Sequence, residues 1–209
     1  MLIIVDGLDG AGKSYTIELL REKLNSIGLS SAVVSGIGSG QIGSYLRNKI
    51  VVQEYATESM KLVGFPLAIL DAIKTAEELL KTNNIVIMDR GLGSYASYSV
   101  FDETTAPIFE SMLKLIGLEL DSFSNRGNIK LVEIYLKTDV KICMQNLNYR
   151  PKKEYTDKAN LDEFNRIEHN FDTWFSVVEP KINRFIITNN STVEDLEIQI
   201  SSLVDNILV

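Results

Sequence analysis

The stretch VDGLDGAGKSYT, residues 5–16, places three glycines within six positions directly before a lysine. Glycine costs conformational entropy and adds no packing, so such a cluster indicates positive φ or the close approach of a ligand. The residues match G-x-x-x-x-G-K-[ST], in which backbone N–H groups surround phosphate, the lysine reaches the outer phosphates and the hydroxyl binds Mg²⁺. We therefore predict a nucleotide phosphate-binding loop that includes Gly7, Gly10, Ala11, Gly12, Lys13, Ser14 and Tyr15.

The residues around this loop predict a strand before it and a helix after it. Residues 2–5 form a short, largely β-branched apolar run that is typical of a buried parallel strand. Ile17, Leu20 and Leu24 recur at helical spacing. Strand, glycine loop and helix in this order are the context that the motif requires. A glycine-rich turn before an ordinary surface helix is the alternative interpretation.

Strands and helices alternate along the rest of the chain, which is typical of a parallel sheet with helices on both faces. The length of 209 residues fits one domain, residues 1–209. We predict an α/β fold, a P-loop NTPase-type three-layer α/β/α arrangement with a five-stranded parallel sheet. The further predicted strands are 31–35, 85–88, 129–136 and 185–188, and the further predicted helices lie at 46–52, 60–80, 101–118, 140–147, 164–178 and from 192.

Composition excludes several classes of partner. The chain has 21 Lys+Arg against 28 Asp+Glu, a formal net charge of −7, so its surface is expected to repel long nucleic acid. It has no apolar run of 18 residues and begins with a strand instead of a charged leader, so we expect no membrane partner and a cytoplasmic location. The lone Cys143 cannot form an internal disulfide, and its apolar setting favours a place in the core.

Two further segments carry groups suited to phosphate chemistry. Asp89 and Arg90 directly follow a predicted strand, where ligands of doubly wound sheets collect. The carboxylate can hold Mg²⁺ or its water while the guanidinium faces phosphate; a local Asp89–Arg90 ion pair is the alternative. The segment RPKKEYTDK, residues 150–158, gathers four cations and predicts a short mobile lid at about 149–159 that closes over the phosphates. Arg150 is its preferred member, because a planar guanidinium suits phosphate oxygens; a solvated charged face is the alternative.

With these motifs, the chain resembles the thymidylate kinase family of nucleoside monophosphate kinases. The resemblance spans nearly the whole length and is carried by GLDGAGKS at 7–14, DRGLGSYASYS at 89–99 and FDTWFSVVEPKINRFIITNNSTVEDL at 171–196. It implies transfer of the γ-phosphoryl group of ATP to the phosphate of a nucleoside monophosphate, most like dTMP, in nucleotide biosynthesis. It also implies Mg²⁺ as cofactor, small-molecule nucleotides as partners and a homodimer.

Matching positions imply roles for single residues. Lys13 and Ser14 would hold the ATP phosphates and Mg²⁺, the latter together with Asp89. Asp9 would face the acceptor sugar, and Arg90 would bridge the acceptor and donor phosphates. The ring of Tyr98 would lie against the sugar and favour the 2′-deoxy form. Gly10, where other members carry a basic residue, implies an arginine supplied from the lid and so favours Arg150. The expected catalytic set is Lys13, Asp9, Arg90 and Arg150.

The acceptor half of the chain departs from the family's pattern. The segment SGIGSG, residues 35–40, carries no charge where the family has an arginine-containing segment resembling REPGGT. Ala68 and Ala72 stand where a pattern resembling LFAADR offers a ring and an arginine to the base. Phe65 and Arg47 are the candidates that could compensate, and Phe65 is counted among the expected substrate-binding residues.

Two other functions stay open at this level. A kinase of a nucleoside or another hydroxyl acceptor would need a general base, a role that Asp9 or Asp89 could take. A non-catalytic nucleotide-binding protein of the switch type would be expected to carry N-K-x-D and D-x-x-G. The nearest segments are LKTD at 136–139 and DRGL at 89–92, which match neither pattern. The sequence therefore favours the nucleoside monophosphate kinase.

Overall fold

The fold was analysed in a computed structural model, which describes residues 1–52, 56–149, 160–177 and 182–208. Its centre is a five-stranded parallel sheet. The strands are β1 Leu2–Asp6, β2 Ser31–Ser35, β3 Ile85–Asp89, β4 Leu131–Lys137 and β5 Asn183–Thr188. Their order in the sheet is β2-β3-β1-β4-β5. Val86 in β3 and Leu131 in β4 are the partners of Leu2 in the fully buried central strand β1.

Helices cover both faces of the sheet and complete the three layers, which confirms the predicted fold class. Ile3 and Val5 of β1 pack into a core with the helices of one face, while Leu2 and Ile4 pack into a second core on the other face. Among the described residues, no helix has both the length and the apolar character needed to cross a bilayer. The helices are α1 Lys13–Ser26, α2 Gln41–Arg47, α3 Glu58–Leu79, α4 Leu92–Tyr98, α5 Ala106–Gly127, α6 Val140–Asn148, α7 Leu161–Ser176 and α8 Val193–Leu208, and a π-helical turn at Asn48–Val52 follows α2.

Two predicted helices differ from the observed ones. The helix predicted at 46–52 is the end of α2 followed by the π-helical turn. The helix predicted at 101–118 begins only at Ala106, because the Asp102 carboxylate accepts the backbone N–H groups of Thr104 and Thr105 and forms a local turn instead. Helix α4 was not predicted, since its glycine- and serine-rich sequence lacks a clear helical period.

Helix α3 runs without interruption through Pro66, although proline usually kinks or ends a helix. Proline has no N–H, so the carbonyl of Leu62, one turn earlier, loses its helical partner. The hydroxyl of Tyr95 in α4 donates to that carbonyl at 3.0 Å. Tyr95 and Leu62 are both buried, so this bond satisfies an acceptor that water cannot reach. The proline is therefore tolerated because α4 supplies the missing donor.

Replacing Tyr95 with phenylalanine is expected to lower the free energy of unfolding by about 1–3 kcal/mol, since it leaves the Leu62 carbonyl buried without a donor. Urea unfolding would measure the change. In a Pro66→Ala background the helix regains its own N–H donor, so the same Tyr95→Phe substitution should cost distinctly less. Equal costs in the two backgrounds would show that the hydroxyl does not replace the proline's missing bond.

Candidate functional site

The glycine-rich loop at 7–12 connects β1 to α1 and packs tightly against the rest of the chain. Gly10 has φ +81°, and a β-carbon there would overlap the backbone carbonyl oxygen of Cys143 in α6. Gly12 has φ +94°, and a β-carbon there would lie 2.7 Å from Nδ2 of Asn189. Glycine is required at both positions because the backbone is left-handed and the neighbouring residues leave no space.

Side chains from helix α6 and from the loops after β4 and β5 hold the carbonyl groups of this loop. The Ala11 carbonyl accepts from the hydroxyl of Thr138 at 3.0 Å and from Nδ2 of Asn189 at 2.9 Å. The Gly10 carbonyl accepts from Nδ2 of Asn146 at 2.8 Å. In a trans peptide the C=O and the next N–H point in opposite directions, so anchoring the Ala11 carbonyl turns the Gly12 N–H the other way. Sequence reasoning missed these residues, which lie more than 120 positions from the loop.

Lys13 is buried at the first position of α1. Its Nζ donates to the carbonyls of Gly7 at 3.1 Å and Leu8 at 2.7 Å. Burial, and next the nearby positive charge of Arg90, lower the pKa of Lys13 to about 8, although the Asp9 carboxylate and other carboxylates oppose this. An anion such as phosphate in the loop would favour the charged form of this ammonium.

The structure brings Asp9, Arg90 and Tyr98 into direct contact. The Arg90 guanidinium forms an ion pair with the Asp9 carboxylate and lies 5.2 Å from the centre of the Tyr98 ring. The Tyr98 hydroxyl accepts the Asp9 backbone N–H at 2.7 Å and lies 3.3 Å from Asp9 Oδ2, to which it donates. Burial and the Asp9 carboxylate raise the pKa of Tyr98, so the phenol keeps its proton. The Asp9 carboxylate beside the loop therefore contacts both the neutral Tyr98 hydroxyl and the Arg90 cation.

Asp6, at the carboxyl end of β1, is a buried residue that the sequence analysis did not single out. Its Oδ1 accepts the backbone N–H groups of Gly91 at 2.9 Å and Ser94 at 3.0 Å, and also the Ser94 hydroxyl. Burial raises the pKa of Asp6, although the hydrogen bonds from Ser94 and Gly91 oppose this. The carboxylate therefore anchors the first turn of α4, which follows Arg90. The signal in the sequence was a carboxylate that ends an otherwise apolar strand.

A buried ion pair lies behind this site. Oε2 of Glu133 in β4 accepts from Nε of Arg184 in β5 at 2.8 Å, and Oε1 accepts from the Trp174 indole at 3.1 Å. The Arg184 guanidinium also stacks over the Trp174 ring at 4.8 Å. Burial, and next the Asp6 carboxylate, raise the pKa of Glu133 to about 7.

The residues predicted to bind Mg²⁺ carry the groups that such an ion needs. Oδ1 of Asp89 is buried and has no hydrogen-bond partner within the described part of the chain. The hydroxyl of Ser14 lies on the exposed second residue of α1. No group of three or more His, Cys, Asp or Glu side chains suited to a metal occurs among the described residues. Mg²⁺ usually takes one or two protein carboxylates and completes its shell with phosphate and water, so this sparse set fits it.

Of the two candidates for compensation on the acceptor side, Arg47 lies beside the loop that follows β2. Cδ of Arg47 is 3.2 Å from the point where a β-carbon on Gly38 would stand, so the Arg47 stem covers this uncharged loop. The N–H of Gly36 donates to the Asp89 carbonyl at 2.8 Å and joins the same loop to the end of β3. Phe65 in α3 is partly buried and packs against the apolar core to which α3 and α5 both contribute.

The two alanines of α3 on the acceptor side lie where α2 packs on α3. Ala68 and Ala72 are both buried, and a β-carbon on Gly43 would lie 3.5–3.7 Å from atoms of Ala68. The small residues thus let α2 pack directly on α3.

Arg150 and residues 151–159 of the predicted lid lie outside the described residues, and Tyr149 directly before them is exposed.

Comparisons of the sequence with known proteins all lead to one family. The family model described as thymidylate kinase matches residues 5–200. A thymidylate kinase of Legionella pneumophila (strain Corby) is 24% identical over 213 residues, which cover 99% of this chain and 95% of that protein. A probable thymidylate kinase of Methanococcus aeolicus is 27% identical over 203 residues, which cover 95% of this chain and 92% of that protein.

The fold of this chain is also similar to that of a solved structure. The crystal structure of thymidylate kinase from Ehrlichia chaffeensis matches with a TM-score of 0.66 at 15% identity and covers 98% of each chain. This likeness shows a shared fold, and the family model spans nearly all of the sequence that forms it. The chain therefore belongs to the thymidylate kinase family of ATP-dependent nucleoside monophosphate kinases.

Proposed function

We propose that this chain transfers the γ-phosphoryl group of ATP to the phosphate of a 2′-deoxynucleoside monophosphate of the dTMP type, giving the diphosphate. The observation that carries the proposal is the contact of Arg90 with Asp9 and Tyr98 beside the phosphate loop. In this proposal the guanidinium that Asp9 and Tyr98 hold would lie between the donor phosphates and the acceptor. Phosphoryl transfer depends chiefly on such positioning and charge stabilisation.

The chain's own residues would divide the work as follows. Lys13 neutralises charge on the outer phosphates of ATP, and Arg90 neutralises charge on the group in transit. Ser14 and Asp89 would hold Mg²⁺, which would supply positive charge to the phosphates when bound. Arg150 and the lid at about 149–159 are proposed to close over the phosphates and exclude water.

The acceptor phosphate needs a cation near the uncharged loop at 35–40, and we assign this role to Arg47. Its stem lies beside Gly38 and Ser35, so the side chain turns back from α2 over the loop. The loop itself is tied to the carbonyl of Asp89, next to Arg90. In this proposal Arg47 and Arg90 would together clamp the acceptor phosphate.

Tyr98 supports a deoxy acceptor in this proposal. Its hydroxyl is engaged with both the N–H and the carboxylate of Asp9, so the ring is held in one place. A ring held in this way against the sugar leaves little room for a 2′-hydroxyl. Asp9, fixed by Arg90 and Tyr98, would face the acceptor sugar.

A panel of acceptors tests the function directly. The chain would be incubated with Mg·ATP and nucleosides or nucleoside monophosphates, in ribo and deoxy forms, while ADP release is followed. We expect transfer to deoxynucleoside monophosphates, dTMP foremost, and dependence on added Mg²⁺. Transfer confined to nucleosides would replace the proposal by a hydroxyl-acceptor kinase, and no transfer to any acceptor would favour a nucleotide-binding protein.

A cytoplasmic homodimer completes the proposal. Met60, Val63 and Leu67 form an exposed apolar stripe along α3, and Leu115 and Leu118 extend apolar surface along α5. Such surface is better accommodated by pairing two copies than by water. Sedimentation at micromolar concentration would show about twice the mass of one chain, and a single-chain mass would contradict the dimer.

A further inference from the structure

We propose that Asp6 is a positioning residue for Arg90: it holds both the backbone and the guanidinium of Arg90 through hydrogen bonds to the first turn of α4. The inference rests on the proposed function, because Arg90 is the cation at the transferred phosphate. It adds a residue from β1 that is buried beneath the site and does not touch the nucleotide in our proposal.

The backbone of Arg90 needs such support. Its φ is +73°, in the left-handed region that a residue with a side chain rarely adopts. The Arg90 N–H donates to the Val5 carbonyl at 2.9 Å, and the next N–H, that of Gly91, donates to Asp6 Oδ1 at 2.9 Å. Val5 and Asp6, which are neighbours in β1, therefore hold the backbone N–H groups on the two sides of the strained residue Arg90.

The guanidinium is tied to the same carboxylate through Ser94. Nη1 of Arg90 lies 3.4 Å from the Ser94 hydroxyl oxygen, which accepts from it. A serine hydroxyl has one proton, and that of Ser94 is donated to Asp6 Oδ1. The Asp6 carboxylate thereby turns a lone pair of the hydroxyl toward Arg90. Without the carboxylate, the hydroxyl is free to rotate and to lose this orientation.

The surroundings of Asp6 allow a matched pair of variants. Oδ2 is buried without a hydrogen-bond partner in the described part of the chain. A β-carbon on Gly93 would lie 2.9 Å from this Oδ2 and 3.2 Å from Oε1 of Glu133, so the two carboxylates face one small space. In Asp6→Asn the three donors at Oδ1 keep the amide oxygen there, and the NH₂ group faces the space next to Glu133. Asp6→Asn should thus preserve the support of Arg90, and Asp6→Ala should remove it.

The test measures kcat and KM for Asp6→Ala, Asp6→Asn, Arg90→Ala and the double variant Asp6→Ala/Arg90→Ala. We expect Asp6→Ala to lower kcat about 10- to 100-fold, because a small displacement of a positioned group has that effect. Asp6→Asn should stay within about 3-fold of the unmutated chain, since it keeps the acceptor at Oδ1. The double variant should be no slower than Arg90→Ala alone. If Asp6→Ala lowered kcat by the same factor in the Arg90→Ala background as in the unmutated chain, the inference would be overturned.

Two additional measurements keep this test separate from folding and from the proposed function. Ser94→Ala removes the bridging hydroxyl with a smaller change in packing and should give a loss of kcat between those of Asp6→Asn and Asp6→Ala. In NMR spectra, the Nε–Hε signal of Arg90, assigned by its disappearance in Arg90→Ala, should shift in Asp6→Ala and stay in place in Asp6→Asn. An unmoved signal in Asp6→Ala would overturn the inference whether or not the chain transfers phosphate, whereas an inactive unmutated chain would contradict only the proposed function.

Discussion

Lys13→Met is expected to reduce kcat at least about 100-fold, because it removes a preorganised cation from the developing charge on the phosphates. The ammonium is already buried and directed at the loop carbonyls of Gly7 and Leu8, so it needs little rearrangement to meet a phosphate. Methionine has a similar length and no charge to bury, but it leaves the Gly7 and Leu8 carbonyls without this donor, so the free energy of unfolding should fall by no more than about 1–3 kcal/mol. Steady-state kinetics and urea unfolding of the same preparation would separate the two effects.

Lys81→Met is the matched control for this substitution. Lys81 is exposed and pairs with Glu78 at the far end of α3, away from the phosphate loop. Its replacement should leave kcat unchanged. A Lys13→Met variant that keeps the full rate would contradict the assignment of the loop as the donor site.

Arg184→Met is expected to lower the free energy of unfolding by about 3–5 kcal/mol near pH 8, because it leaves a buried carboxylate without its partner. Glu133 is only 1% exposed, and Arg184 is the cation bonded to it at 2.8 Å. The Trp174 indole would remain as a donor to Glu133, but a neutral donor does not balance the charge. Urea unfolding would measure the loss.

The loss should depend on pH in a defined direction. Burial, and then the Asp6 carboxylate, raise the pKa of Glu133 from 4.5 to about 7 in the unmutated chain, while Arg184 lowers it. An acid with a higher pKa in the folded state takes up a proton more readily there, so its contribution to stability falls as pH rises from about 4.5 to about 7. Without Arg184 the pKa rises further. We therefore expect Arg184→Met to lose more stability at about pH 8 than at about pH 5.5, where Glu133 can be protonated.

Two variants identify the buried charge as the cause. Adding Glu133→Gln to Arg184→Met removes the unpaired carboxylate and should recover more than half of the loss near pH 8. Arg126→Met replaces an exposed arginine that pairs with Glu77 and Glu119 on the surface, and it should change stability little at either pH. A loss that is independent of pH and is not recovered by Glu133→Gln would instead point to lost packing.

Local patterns in the sequence predicted most of the fold. The five strands and their parallel arrangement follow from short apolar runs that alternate with helical segments, and the structure confirms them. The errors lie where local side-chain bonding or packing decided the outcome. Asp102 delays the start of α5, and the π-helical turn after α2 packs Ile50 against Gly64 of α3. Neither effect leaves a periodic signal.

The candidate site was predictable only in part. Asp9, Arg90 and Tyr98 were expected at the site from their motifs, and the structure brings them together. Their roles toward nucleotides stay predictions, as does that of Arg150. Asp6 was missed, because its function depends on three donors from a turn more than 80 residues away.

The sequence by itself determined the glycine-rich turn between β1 and α1 and the alternation of strands and helices. These properties depend on neighbouring residues, since glycine conformations and side-chain periodicity act over a few positions. Only the tertiary structure decided that Arg90 meets Asp9, that Glu133 is neutralised by Arg184, and that Tyr95 supplies the bond that Pro66 cannot make. Buried charges and unpaired carbonyls must find partners wherever the chain places them, and the parallel sheet joins segments that are distant in sequence. Those partners follow from topology and packing, and no local pattern encodes them.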